Sequence, residues 1–436
     1  MATTVTKVID PDMGSGYDYD SLFDCEAAQQ GDLTGARNEI AVAKCRCTGG
    51  TADTTAVTID GWTTSAIQCI KIWADPAESY RHSGKWETGN KYRFFVTGET
   101  ATIIFNHEEY VKFDGLQIKS DTSSGRNIYT ETANLPSQID ISNCYIETNC
   151  GYGIYDEQYI RLYRIWNCIF NDTHSEYYPG GAGIWINAYS SGEWIIYNCT
   201  FNDHYGGIHI ECGSVSYIKN CLFVNCDTDL YSNISKTDTY CATDNNSTLS
   251  GLNSSGGTYH RFSQTFSFVG AADFHLASND AGALGYGLNL YNDAIFPFQD
   301  DIDGQDRGGA SASWDIGADQ WIPTDSCAWG HDTGVTQDNI RNFTGKWYGT
   351  GEVLLTGDSE KIELAAGEYM ISEPVIVAVD STCTVLKDSY FGGGGDANIT
   401  LSYRTAATPT ALSSASWTAY TVPFTSLGYA QLKASA

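Results

Sequence analysis

The chain is predicted to be all-β, a solenoid of short stacked strands, because two short phrases recur and interleave. Ile141-Ser142-Asn143-Cys144-Tyr145-Ile146 is the first copy of one phrase, and Ile165-Trp166-Asn167-Cys168-Ile169-Phe170 is the second. Ile196-Tyr197-Asn198-Cys199-Thr200-Phe201 and Ile218-Lys219-Asn220-Cys221-Leu222-Phe223 complete the set. The cysteines are 24, 31 and 22 residues apart (168−144, 199−168, 221−199). A period of this size marks repeats that stack on one another. The second phrase reads Gly153-Ile154-Tyr155, Gly183-Ile184-Trp185-Ile186-Asn187, Gly207-Ile208-His209-Ile210-Glu211 and, more weakly, Asp229-Leu230-Tyr231. Both phrases alternate apolar with other residues, the period-2 signature of a strand. Neither contains an apolar run suited to an amphipathic helix.

Each element has a physical reason. The repeated Asn143, Asn167, Asn198 and Asn220 stand where the chain must turn between two strands of a coil. Asn tolerates the left-handed backbone region better than most residues. Stacked amides can also hydrogen-bond along the stack. Val111 to Ile118 is an earlier copy with Gly115 in the Asn place, and Gly takes positive φ at low cost. Cys144, Cys168, Cys199 and Cys221, with the Ile or Phe two residues on, are expected to point inward as a stack of buried thiols beside a stack of rings.

In chain order, Val5 to Ile9 reads as a strand. Ser21 to Gln30 reads as a helix, with a Ser21/Asp24 capping start and Gly31 as its stop. Residues 1–38 are expected to cap the first coil, since a solenoid end exposes edge strands and core. The repeat then fills 39–322. Asp121 to Leu135 and Asn171 to Gly181 read as protruding insertions. Asp238 to Tyr259 reads as a loop. Residues 323–345 read as a linker, and 346–436 as a small β-sandwich with turns at regular spacing.

The phrases resemble the right-handed parallel β-helix proteins, which carry Asn ladders at such bends. The resemblance spans Val111 to Trp321. It is sharpened by Asp273-Phe274-His275-Leu276, Ala281-Gly282, Asp301-Ile302-Asp303-Gly304 and Asp315-Ile316-Gly317-Ala318, which look like that family's closing segment. The C-terminal stretch, including Ile399 to Thr405 and Ser416 to Tyr429, resembles modules of phage structural proteins. This likeness implies a virion surface protein such as a head fibre, capsid decoration or tail appendage. It also implies a homotrimer and other virion proteins as partners. The β-helix family spans lyases, hydrolases, adhesins and spikes, so the fold fixes no function.

Composition narrows the partners. The chain has 436 residues, 24 basic against 53 acidic, and a net charge of −29. Such a surface repels nucleic acid and anionic membranes and favours neutral partners. The first twenty residues show no signal peptide, and no stretch reaches membrane-spanning length. No paired CxxC or His-rich spacing signals zinc. Asp301 to Asp306 resembles the start of a calcium loop but lacks the closing glutamate, which favours a structural turn. No metal or cofactor is expected.

Register places the candidate site. With Ile154, Ile184, Ile208 and Leu230 inward, Tyr155, Trp185, His209 and Tyr231 face outward. Two residues on, Glu157, Asn187, Glu211 and Asn233 also face out. A row of rings beside a row of carboxylates and amides suits a neutral glycan lying along the solenoid. Packing between coils is the competing reading. Catalysis is the less favoured expectation. Glu157, Glu211, Asp203, Glu176 and Asp156 could supply a hydrolase's carboxyl pair. His174, His204 and His209 are possible bases, and Arg161, Arg164 and Lys219 are the few central cations. A polysaccharide-degrading enzyme and a bacterial adhesin are the alternative functions.

Overall fold

The structure is a computed structural model describing residues 2–98, 102–122, 125–131, 137–157, 162–173, 181–187, 192–211, 215–233, 236–253, 259–309 and 312–321. Beyond these, it describes the backbone of short strands between Trp347 and Ser435. The chain divides into two units, Met1–Trp321 and Ile322–Ala436.

The first unit is built from three parallel sheets. Sheet I has nine strands, and sheets II and III have seven each. One coil runs through Gln138–Ser142 in sheet I, a bend at Asn143, Tyr145–Thr148 in sheet II and Tyr152–Asp156 in sheet III. Each strand pairs in parallel with its counterparts in the coils before and after. This is the arrangement of a parallel β-helix. Alternation drives it: in Tyr110–Asp114, Val111 and Phe113 are fully buried while the residues between them are half-exposed.

The bends work through backbone conformation. Asn143, Asn167, Asn198 and Asn220 take φ of 53°, 52°, 49° and 54°, and Gly115 takes 71°. Behind them Cys144, Cys168, Cys199 and Cys221 are buried free thiols. Phe170, Phe201 and Phe223 stack at 4.8 and 5.1 Å with nearly parallel planes. The second phrase begins with Gly for a steric reason. A Cβ on Gly153, Gly183 or Gly207 would lie 2.8, 2.6 or 2.7 Å from the ring of Phe170, Phe201 or Phe223. The two phrases thus interlock: the glycine of one coil makes room for the phenylalanine of the next.

Several boundaries differ from expectation. Thr3–Ile9 pairs in register with Glu39–Cys45, so the expected cap, 1–38, itself supplies an edge strand of sheet I. The helix is Leu22–Gln29, with Ser21 Oγ accepting from the Asp24 N–H and Leu22 and Cys25 buried in the core. The expected loop from Asp238 begins as a further coil instead. Lys236–Thr239 joins sheet I and Ala242–Thr243 joins sheet II. Tyr240 takes the Asn place at φ 56°, and Cys241 extends the row of buried thiols.

After that coil the chain returns along the outside of the solenoid. Phe274, Ile302 and Ala318 pack on Tyr145 and Ile169 of sheet II. Leu290 and Trp314 pack on Ile195 and Tyr197 of sheet I. The calcium-like turn is satisfied by backbone: Asp301 Oδ1 accepts from the N–H of Asp303 and Gln305, and Oδ2 from that of Gln320.

The strands of the second unit pair antiparallel, including a six-stranded sheet. The expected linker, 323–345, and most of the insertion at 171–181 lie outside the described residues.

Candidate binding face

Two outward surfaces follow from the coil: the Asn bend and the outer face of sheet III. The bend is covered. Asn167 Nδ2 donates to Asn143 Oδ1 at 3.2 Å, and Asn220 Nδ2 to Asn198 Oδ1 at 3.1 Å. The returning segment takes the remaining capacity. Asn198 Nδ2 donates to Gly317 O, and Arg307 Nη2 donates to Asn167 Oδ1. From the other side His82 reaches the carbonyl of Asn143 at 2.9 Å while its Nδ1 accepts from the Gly84 N–H. That pairing makes Nε2 the protonated nitrogen of a neutral ring, and burial pushes its pKa down to about 3. The Asn row is therefore framework, not a ligand surface.

The outer face of sheet III carries the predicted residues in register. Tyr155 pairs with Trp185, Trp185 with His209, and His209 with Tyr231. The row extends further than expected, because Tyr129 and Phe105 precede Tyr155 in the same register. The expected insertion at Asp121 to Leu135 contains the strand Arg126–Thr130 of sheet III, so this part of it belongs to a coil. The strand Thr102–Asn106 lacks the Gly-Ile opening, which hid it from the repeat.

Ring contacts along the row are mixed, two of them flat stacks. Trp185 and His209 have centroids 3.8 Å apart and planes 8° apart, so they lie face to face. Phe105 and Tyr129 do the same at 4.6 Å and 5°. In these two pairs each ring face is used by the neighbouring coil, whereas Tyr129 and Tyr155 meet at 67°, edge to face. Exposure grows along the row, from 8% at Tyr155 to 44% at Tyr231.

Polar groups divide the face in two. In the earlier coils, Tyr129 and Tyr155 hydroxyls both donate to Glu157, at 2.7 and 2.6 Å. The Tyr155 bond is the main cause holding Glu157 below the usual carboxylate range. Arg126 lies over both tyrosine rings at 4.5 and 4.2 Å. In the later coils, Glu211 meets His209 Nε2 at 3.0 Å. Burial still lowers the His209 pKa, outweighing that carboxylate. Asn187 is half-exposed and Asn233 exposed beside them.

The chain matches no known protein family, and no curated protein matches it. The face must be read from its own chemistry. Its later half offers the Trp185 and Tyr231 rings, an imidazole, a carboxylate and two amides at one-coil spacing. Glu108, at the N-terminal side of the sheet, is pushed up to about 7 by burial, as a general acid requires. It is buried, however, and accepts from the Trp62 N–H at 2.7 Å. Of the other residues considered for catalysis, Asp156 and His204 are buried. Glu176, His174 and Arg161 lie outside the described residues.

Proposed function

We propose that the chain is a non-catalytic surface protein, of the kind phage virions carry as fibres or decorations, and that it contacts neutral glycans. Trp185, Asn187, His209, Glu211 and Tyr231 are its contact residues, with Tyr155 at the covered end of the row. The observation that carries the reading is the pairing, coil by coil, of an apolar ring with a hydrogen-bonding group two residues away. Sugar hydroxyls can donate to Glu211 and exchange bonds with Asn187, while the Trp185 and Tyr231 rings meet the C–H surface. The net charge of −29 disfavours anionic polymers. The carboxylates on the face are committed to Tyr129, Tyr155 and His209, which favours binding over hydrolysis.

In this reading the helix Leu22–Gln29 closes the first coil, and the winding is right-handed, the sense parallel crossovers prefer. The chain forms a homotrimer, to which the C-terminal unit contributes contacts. Three weak sites then act jointly on a multivalent surface.

One experiment tests binding against cleavage. Full-length protein is applied to a panel of neutral and anionic polysaccharides, and both retention and release of reducing ends are followed. Retention on neutral polymers without release supports the proposal. Release of reducing ends replaces it with a polysaccharide-degrading enzyme, and no retention on any polymer removes the glycan. Light scattering on the same sample checks the trimer.

A further inference from the structure

The returning segment meets the solenoid at a second polar cluster, remote in sequence from the ring row. His275, in the strand Asp273–Leu276, has both ring nitrogens on carboxylates. Nδ1 bonds Asp273, and Nε2 lies 3.0 Å from Asp303 Oδ2. Asp319 is adjacent and accepts the Leu276 N–H on Oδ2 at 2.9 Å. One donor atom each from His275, Asp303 and Asp319 lie within 4.8 Å of one another.

Two further observations bear on what this cluster can hold. Asp303 Oδ1 is buried and has no hydrogen-bond partner among the described residues. A buried carboxylate oxygen left bare is costly unless something else satisfies it. Residue 84, which faces the cluster, is glycine with φ +69°. A Cβ there would stand 2.7 Å from His275 Nε2 and 2.8 Å from Asp303 Oδ1. Only glycine lets the backbone of this loop lie so close to the two donor atoms. Charge points the same way: three carboxylates surround one imidazole, and the cations beside them are Lys85, 3.0 Å from Asp273, and Arg307, whose charge reaches Asp319.

We propose that His275, Asp303 and Asp319 bind a divalent transition-metal ion, with Zn2+ as the best-matched cation, and that the ion ties three separate turns of the returning segment to one another. One imidazole nitrogen with two carboxylate oxygens suits Zn2+ or Mn2+, whereas Ca2+ and Mg2+ take oxygen ligands. On binding, a metal–nitrogen bond forms at Nε2, the hydrogen there leaves to solvent as a proton, and Asp303 exchanges its bond to Nε2–H for a bond to the metal. Asp273 stays on Nδ1 as the outer partner that orients the ring. The expectation that the chain holds no metal came from local spacing, and these ligands come from three separate turns.

Full-length protein, stripped with a chelator, is titrated calorimetrically with ZnCl2 and separately with MgCl2. The expected result is one Zn2+ per chain, no comparable Mg2+ binding, and a higher unfolding temperature with Zn2+. His275→Gln and Asp303→Asn should each weaken Zn2+ binding at least about tenfold, or about 1.4 kcal/mol. Asp303→Asn keeps the size and one oxygen, so it spares the packing. If either variant does not fold, wild-type crystals soaked in ZnCl2 decide: an anomalous peak bonded to His275 Nε2 supports the site. Absence of stoichiometric binding, binding unchanged in both variants, or a peak only elsewhere overturns it. In that case the cluster is an imidazolium ion pair and nothing more.

Discussion

Asn220 and Leu288 exchange two hydrogen bonds, as paired strands do. Asn220 Nδ2 donates to Leu288 O, and Leu288 N–H donates to Asn220 Oδ1, both at 2.8 Å. A ladder asparagine thus offers an edge that a backbone can dock on. This explains why the Asn row is continuous only in part. Asn167 and Asn198 do not bond each other, and they face Arg307 and Gly317 instead. The repeat unit that turns the coil also receives the closing segment.

Two substitutions separate these roles. Asn220→Gly keeps the left-handed backbone and loses the side-chain bonds, so it is expected to cost about 1–3 kcal/mol. Asn220→Val loses the bonds and strains the bend, adding roughly 1–2 kcal/mol. Asn198→Val should behave like Asn220→Val. Urea unfolding of the three variants checks this. Equal losses for Gly and Val at position 220 would remove backbone strain from the account.

The interlock of the two phrases makes a sharper forecast. Gly207→Ala places a methyl against the Phe223 ring and the Asp229 carbonyl, each 2.7 Å away. The expected cost is about 1–3 kcal/mol from overpacking. Phe223→Leu should reduce that penalty in the double variant, a coupling that a double-mutant cycle reads directly. Strict additivity would mean that the corner relaxes on its own.

The legible parts of the fold were those where one residue type answers one geometric demand. Asn143, Asn167, Asn198 and Asn220 announce left-handed bends, and the cysteines and phenylalanines behind them announce the core. The coil at Tyr240 was hidden because a tyrosine carries the positive φ. The strand Thr3–Ile9 was assigned to a cap because its partner, Glu39–Cys45, is defined only by pairing. The order of the ring row followed from period-2 alternation, but ring orientation did not. Whether two rings meet face to face depends on side-chain torsions that spacing does not encode. The metal cluster was hidden for a related reason, since its donors come together only when the segment folds back.

Two buried carboxyls set a pH dependence. Burial pushes Glu108 and Asp229 up to about 7. Their unfolded values lie near 4. The folded state therefore holds these protons more tightly, and the stability they contribute is full below about 4 and lost as pH rises through 7. Asp229→Asn removes that loss while keeping an acceptor for Asn245 Nδ2, now 3.0 Å from Asp229 Oδ1. The variant should gain stability relative to wild type steadily from pH 4 to about pH 8. Denaturant midpoints across that range test it; a constant difference would place Asp229 in contact with solvent.

The outer face of sheet III decides between ligand and packing through two rings with different burial. Trp185 is stacked on His209, so Trp185→Ala should cost about 0.5–1.5 kcal/mol of stability whatever the face does. Its effect on binding is expected to be about tenfold on neutral glycans, or about 1.4 kcal/mol. Tyr231 ends the row at 44% exposure, with its contact to His209 tilted by 30° rather than flat. Tyr231→Ala should therefore leave the unfolding temperature within experimental scatter and still weaken glycan retention several-fold. Glu211→Gln keeps an acceptor beside His209 and should retain most binding. Loss of binding in Tyr231→Ala without loss of stability is the signature of a working surface. If both alanine variants bind every glycan of the panel like wild type, and only Trp185→Ala is less stable, the row is inter-coil packing alone.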